Sequence, residues 1–229
     1  LSQARHMRTW PGWVLATLLF LSLIAVGVPY GFYAYGASAI RVSPAPSPYR
    51  APGAVHQQFL SVESPGVASL PALTPLTVWP AWYRAADPDS SARAQVRLLS
   101  LAARMFPPAD QGGSSRRHAA ELAKAVMISR SWSMQQVVDT ILAKSYFGRD
   151  AYGLEAAARA YYGLPAAGLN AEQSLALIVL MKGPNYSDPG CNRKRFERRY
   201  LHAAALSSMR TDSDAPARAL LGLHPVACG

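Results

Sequence analysis

Residues 133–189 hold three short helices with almost no slack between them. Ser133 stands three residues before Gln136, the spacing of a capping box. Val137, Val138, Ile141 and Leu142 then recur at helical spacing, which predicts a helix over Met134–Lys144. Gly148 and Gly153 mark a turn, and a second helix runs from Leu154 to Tyr162. Its Ala156, Ala157 and Ala160 leave room for close helix packing. After another turn, Asn170 offers a cap and Glu172 a first-turn carboxylate for a third helix, Ala171 to Met181. Short helices joined this tightly must pack against one another, so the expected fold is mainly α.

The remaining chain fits that class. Helices are expected over His56–Val62, Ala92–Met105, Arg116–Met127, Arg193–Met209 and Pro216–Leu223. Asp87, Ser90 and Ser91 are alternative caps for the one beginning at Ala92. Ser64 to Tyr83 reads as an irregular apolar loop that touches a bilayer through Trp79, Trp82 and Tyr83. No alternating strand and no internal repeat is visible.

Before these helices lies an uncharged run of about 21 residues, Trp13 to Tyr33, long enough for one membrane span. Trp10, Trp13, Tyr30, Tyr33 and Tyr35 flank it as interfacial aromatics do. Arg5 and Arg8 precede it, which places the N-terminus in the cytoplasm and the following domain outside. The run is long for a cleaved signal peptide, the alternative reading. The first residue is Leu1, so the natural start is expected at Met7 or further upstream. The expected division is a tail and membrane helix over 1–40, a Pro-rich tether over 41–55 that lifts the domain off the membrane, and a helical domain over 56–229.

A net charge of +10 with only 16% charged residues points to anionic partners such as lipid headgroups or pyrophosphate. No nucleic-acid-binding motif is visible, so nucleic acid is not an expected partner. The cluster Arg193, Lys194, Arg195, Arg198 and Arg199 is either a solvated face or a surface for anionic lipid. The two cysteines, Cys191 and Cys228, are expected to pair in an oxidising compartment, two unpaired thiols being the alternative. No metal-ligand spacing of Cys and His occurs.

The second half of the chain resembles the peptidoglycan glycosyltransferases of glycosyltransferase family 51. Arg117, His118 and Glu121 stand at the positions of an Arg-Lys-x-x-Glu helix, with His for Lys. Ser133, Val137, Val138, Asp139 and Leu142 follow the next helix motif, where Met134, Ile141 and Ala143 replace Lys, Tyr and Asn. Phe147, Gly148, Tyr152, Gly153, Ala156, Ala157, Tyr161 and Gly163 look like the family's glycine-alanine-tyrosine stretch. Leu169, Glu172, Leu175 and Leu177 resemble the helix after it, and Lys182 to Pro189 the Pro-containing loop that follows. Upstream the likeness thins. Glu63 alone keeps the place of the first motif; the second maps to Ser91–Val96 with Gln95 kept, the alternative relic being Gly112-Gly113-Ser114-Ser115, which lies close to Arg117.

The resemblance implies a lysozyme-like helical domain behind the membrane helix. It implies a reaction in which a sugar hydroxyl attacks the anomeric carbon of a lipid-linked disaccharide and polyprenyl pyrophosphate leaves. That step needs a carboxylate base and positive charge at the leaving group. On the resemblance Glu63 is the base and Glu121 organises phosphate or a divalent cation, Mg or Mn. Arg117, Arg116, His118 and Gln95 then hold the pyrophosphate. Glu63 is otherwise a solvated helix-end carboxylate, and Glu121 otherwise an i,i+4 partner of Arg117. The substitutions in the first two motifs favour a protein with weakened or lost catalysis, serving a cell-envelope complex. Retention of both carboxylates and Arg117 favours an active, monofunctional transferase, since 229 residues leave no room for a transpeptidase domain. Either form is expected in the bacterial cytoplasmic membrane, with its domain periplasmic or extracellular.

Overall fold

In a computed structural model the described residues are 12–87, 90–107, 113–207, 209 and 212–225. Among them the chain is helical, with no strand and one isolated bridge between Tyr146 and Tyr152. The helices are α1 (Gly12–Ala37), α2 (Gly53–Glu63), α3 (Val78–Arg84), α4 (Ser91–Arg104), α5 (Ser114–Ser131) and α6 (Met134–Lys144). They continue as α7 (Leu154–Tyr162), α8 (Ala171–Leu180), α9 (Pro184–Ser187), α10 (Arg193–Leu206) and α11 (Ala215–Ala219).

The caps read from sequence form. Ser133 accepts from the Gln136 amide while the Gln136 side chain accepts from the Ser133 amide. Asn170 makes the same reciprocal pair, with Gln173. Ser90, among the three candidates, caps α4 by accepting from the Ala92 amide. Each pair satisfies amides that a helix start leaves without partners.

Helix α8 is the axle of the domain. Residues 173–180 are all buried, and α2, α7, α10 and α11 pack around them. A helix apolar on all sides must be enclosed on all sides. A second group, α4, α5 and α6, packs beside this one, and Leu98, Leu99, Ile128, Ile141 and Leu142 close the space between them. Gly153 permits the tight link from α6 to α7. Its φ is +85°, and a Cβ there would lie 2.6 Å from the Ala143 carbonyl oxygen, so no other residue fits without displacement.

Helix α1 is long and apolar enough to cross a membrane. Its far end is not free: it packs along α5. Gly36 is buried there, and a Cβ on it would lie 2.1 Å from the Ala119 carbonyl oxygen. Small residues let the two backbones meet, as in membrane helix pairs. Replacing Gly36 by Leu is expected to force the helices apart and cost about 1–3 kcal/mol, read as a lower melting temperature of the full chain in detergent.

Two expectations change. Residues 41–55 do not stand the domain off as a spacer. The Ser47 amide donates to Thr140 Oγ1 at 2.9 Å, and Asp139 accepts from the Ala51 amide and Arg50 at 3.1 Å each. Thr140 and Asp139 are fully buried, so the segment is stitched onto α6. Residues 64–83 are not loop throughout, because α3 forms at Val78. There Trp79 lies edge-on to Phe32 of α1 at 5.4 Å and Tyr83 stays exposed, whereas Trp82 packs against the core. The expected Cys191–Cys228 bridge involves Cys228, which lies outside the described residues; Cys191 is not a free thiol.

Candidate active site

Glu63 is the last residue of α2, where the negative end of the helix dipole disfavours a carboxylate. Its side chain is nonetheless only 4% exposed. A buried charge needs partners, and two cations from other elements supply them. Arg97 of α4 donates to Oε2, and Lys182, just past α8, lies 2.7 Å from Oε1. Glu63 is therefore a clamped, buried carboxylate and not a solvated helix end. Arg97 and Lys182 themselves keep 43% and 46% exposure, so either can swing toward solvent while Glu63 cannot.

Glu63 and Lys182 form the wall between two cavities. One, of about 460 Å³, is also lined by Arg97, Leu101, Met105, Tyr146 and Pro184. The other, of about 300 Å³, is also lined by Val62, Ile178, Arg198, Arg199 and His202. A ligand in either cavity meets the same carboxylate and the same ammonium. Arg199 is anchored, donating to Ser187 Oγ at 2.6 Å.

The other residues singled out from sequence lie elsewhere. Glu121 accepts from Arg104 Nε at 2.9 Å and lines neither Glu63 cavity. The expected i,i+4 pair with Arg117 is thus replaced by one to α4. Arg117 and His118 are exposed on the first turns of α5. Arg116 is half-buried, with its guanidinium 5.9 Å from the Tyr35 ring centre on α1. The Gln95 amide donates to the Ser69 carbonyl. A divalent cation finds no protein cage: among the described residues no three His, Cys, Asp or Glu side chains gather. Glu121 offers one carboxylate, of which Oε1 accepts from Arg104.

Sequence reasoning missed Arg97 and Lys182 as partners of Glu63. Arg97 carries no local signal. Lys182 opens a loop whose resemblance was visible, though its role was not.

A second charged cluster pins that loop. Arg149 donates to both oxygens of Asp188, at 2.8 and 3.0 Å, and stacks 4.2 Å from the Tyr161 ring centre. The Gly190 amide and the Tyr161 hydroxyl also reach Asp188. Burial raises the Asp188 carboxyl, but the hydrogen bonds from Arg149 and Gly190 and the guanidinium charge outweigh it and hold it below its ordinary value.

Residues 95–209, half of the chain, match the model of the transglycosylase family. The chain belongs to the transglycosylase family. Glu63 lies upstream of the matched residues, so its part rests on geometry. A biosynthetic peptidoglycan transglycosylase of Bordetella avium is 31% identical over 135 residues, 57% of this chain and 53% of the relative. One of Acinetobacter baumannii is 34% identical over 86 residues, 35% of this chain and 38% of the relative. Penicillin-binding protein 1A of Mycobacterium tuberculosis is 38% identical over 73 residues, 32% of this chain and 9% of the relative. The chain thus spans about half, or less, of the length of the relatives it matches.

Proposed function

We propose that the protein is a peptidoglycan-type glycosyltransferase using Glu63 as its base. The single observation that carries this reading is Glu63, clamped by Arg97 and Lys182 where two cavities meet. An acceptor hydroxyl that displaces one cation reaches a carboxylate oriented by the other. The hydroxyl oxygen bonds to the donor's anomeric carbon while the bond from that carbon to the pyrophosphate breaks. The hydroxyl proton passes to Glu63, and the pyrophosphate leaves with the bonding electrons. Lys182 then stands beside the growing negative charge, where a fixed cation is worth most. The relatives named biosynthetic peptidoglycan transglycosylases support a peptidoglycan-building substrate, and the motif resemblance of residues 117–189 makes it a lipid-pyrophosphate-linked disaccharide. With α1 as the anchor, the Arg5 and Arg8 side is cytoplasmic and the domain lies outside the membrane.

One observation favours a second reading, a non-catalytic member that binds in an envelope complex: Glu121 is tied to Arg104 away from Glu63. The full chain in nanodiscs, given lipid-linked disaccharide, separates the two. Glycan chains on a gel are the expected result. Absence of polymer where the Bordetella relative makes it would overturn the catalytic reading and leave the second.

A further inference from the structure

A third cavity, of about 430 Å³, lies where the chain leaves α1 and carries three cations that neither the motifs nor the Glu63 site uses. Arg41, Lys124 and Lys144 line it, with Ser43, Met105 and Phe106, and among the described residues no carboxylate does. Lys124 is the informative one. It is 4% exposed, and its ammonium donates to the Phe106 carbonyl rather than to an acid. That ammonium keeps two donors beyond the one neutral carbonyl; burial lowers its pKa and outweighs the through-space attraction of Glu121, which Arg104 already binds. Lys144 lies over the Phe106 ring at 4.9 Å. No carboxylate pairs with Arg41, Lys124 or Lys144 among the described residues.

Position narrows the ligand. Arg41 follows the last residue of α1, Ala37, within one turn of chain closed by bonds from the Ala39 and Ile40 amides. Tyr30 and Tyr35, on the last turns of α1, belong at the membrane surface. With α1 as a membrane span the cavity lies where that span ends, and Met105 is common to it and to the Glu63 cavity of about 460 Å³. We propose that this pocket binds the phosphate or pyrophosphate of a membrane lipid, with Lys124, Lys144 and Arg41 as its donors. Charge-assisted bonds from two lysines and a fork-shaped guanidinium suit such an anion. That the bound lipid is the glycosyl donor rests on the function proposed for Glu63; the anion site itself does not.

The test uses the full chain in phosphatidylcholine nanodiscs, titrated with geranylgeranyl pyrophosphate. The expected result is saturable binding, weakened about tenfold or more by Lys124→Met and by Lys144→Gln and unchanged by Arg193→Gln. Competition by phosphatidylglycerol would assign the pocket to phospholipid phosphate as well, and its failure to polyprenyl pyrophosphate alone; both support the site. Should Lys124→Met not fold, exposed Lys144 decides alone. No binding by the wild type, or wild-type affinity in the lysine variants, overturns the proposal. Lysine-dependent binding without polymer would leave this site standing and remove the catalytic reading; polymer with lysine-independent binding would do the reverse.

Discussion

Glu63→Gln is expected to reduce polymer formation by about 10²- to 10⁴-fold, the contribution of a positioned general base. The amide keeps the size of the carboxylate but cannot take the acceptor's proton. It also leaves Arg97 and Lys182 without their anion. Both cations are nearly half exposed, so water can solvate them, and loss of the fold is not the expected outcome. Lys182→Met is the companion variant. It frees one oxygen of Glu63 and removes positive charge near the leaving group, so turnover should fall while Glu63 stays held by Arg97. The readout is initial rate at saturating lipid-linked substrate, with the melting temperature followed in parallel. Equal rates for wild type and Glu63→Gln would end the assignment of Glu63 as base.

Asp188→Ala is expected to destabilise the domain by about 3–5 kcal/mol, because it strands the buried Arg149 guanidinium. Side-chain exposure of the pair is 9% and 10%, and Asp188 accepts bonds from Arg149, Gly190 and Tyr161. For a chain of this size the loss corresponds to a melting temperature lower by on the order of 10 °C. The exposed Arg193–Glu197 pair is the control, and Glu197→Ala should cost less than about 1 kcal/mol. The same cluster sets a pH response. The Asp188 carboxyl is held below its ordinary value, so the unfolded chain takes up its proton first as pH falls. The stabilisation is complete above about pH 4, the ordinary range, and is lost as pH falls through the lower value of the folded state. Wild type should lose stability in acid more steeply than Asp188→Asn, as urea titrations at pH 6 and pH 3 would register.

Much of the architecture could be read from local signals. The capping residues Ser133 and Asn170, the bounds of α6 and α7, and the apolar α1 each follow from residues within a turn or two of one another. The tether failed for a definite reason. SPAPSPYRAPG has the composition of an extended spacer, but its affinity for α6 depends on Asp139 and Thr140, buried polar groups far along the chain. The residues assigned to pyrophosphate lie apart from the Glu63 cavities for a similar reason. Arg117 and Glu121 occupy motif positions, yet α4 brings Arg104 to Glu121 and leaves Arg117 in solvent. Helix periodicity says which residues share a face, not which helix will cover that face.

By itself the sequence determined the membrane-length helix, the mainly α domain, the close-packed run from Ser133 to Pro189 and the family. These rest on periodicity, caps and small residues acting over short separations. Only the tertiary structure decided what surrounds Glu63 and where Lys124 and Lys144 gather. Glu63, Arg97 and Lys182 come from the end of one helix, the middle of another and the loop past a third. Their attraction becomes strong only once packing removes them from water. Lys124 looks in sequence like any solvated lysine on a helix. Burial beneath Phe106, beside the exit of α1, is what makes it a place for an anion.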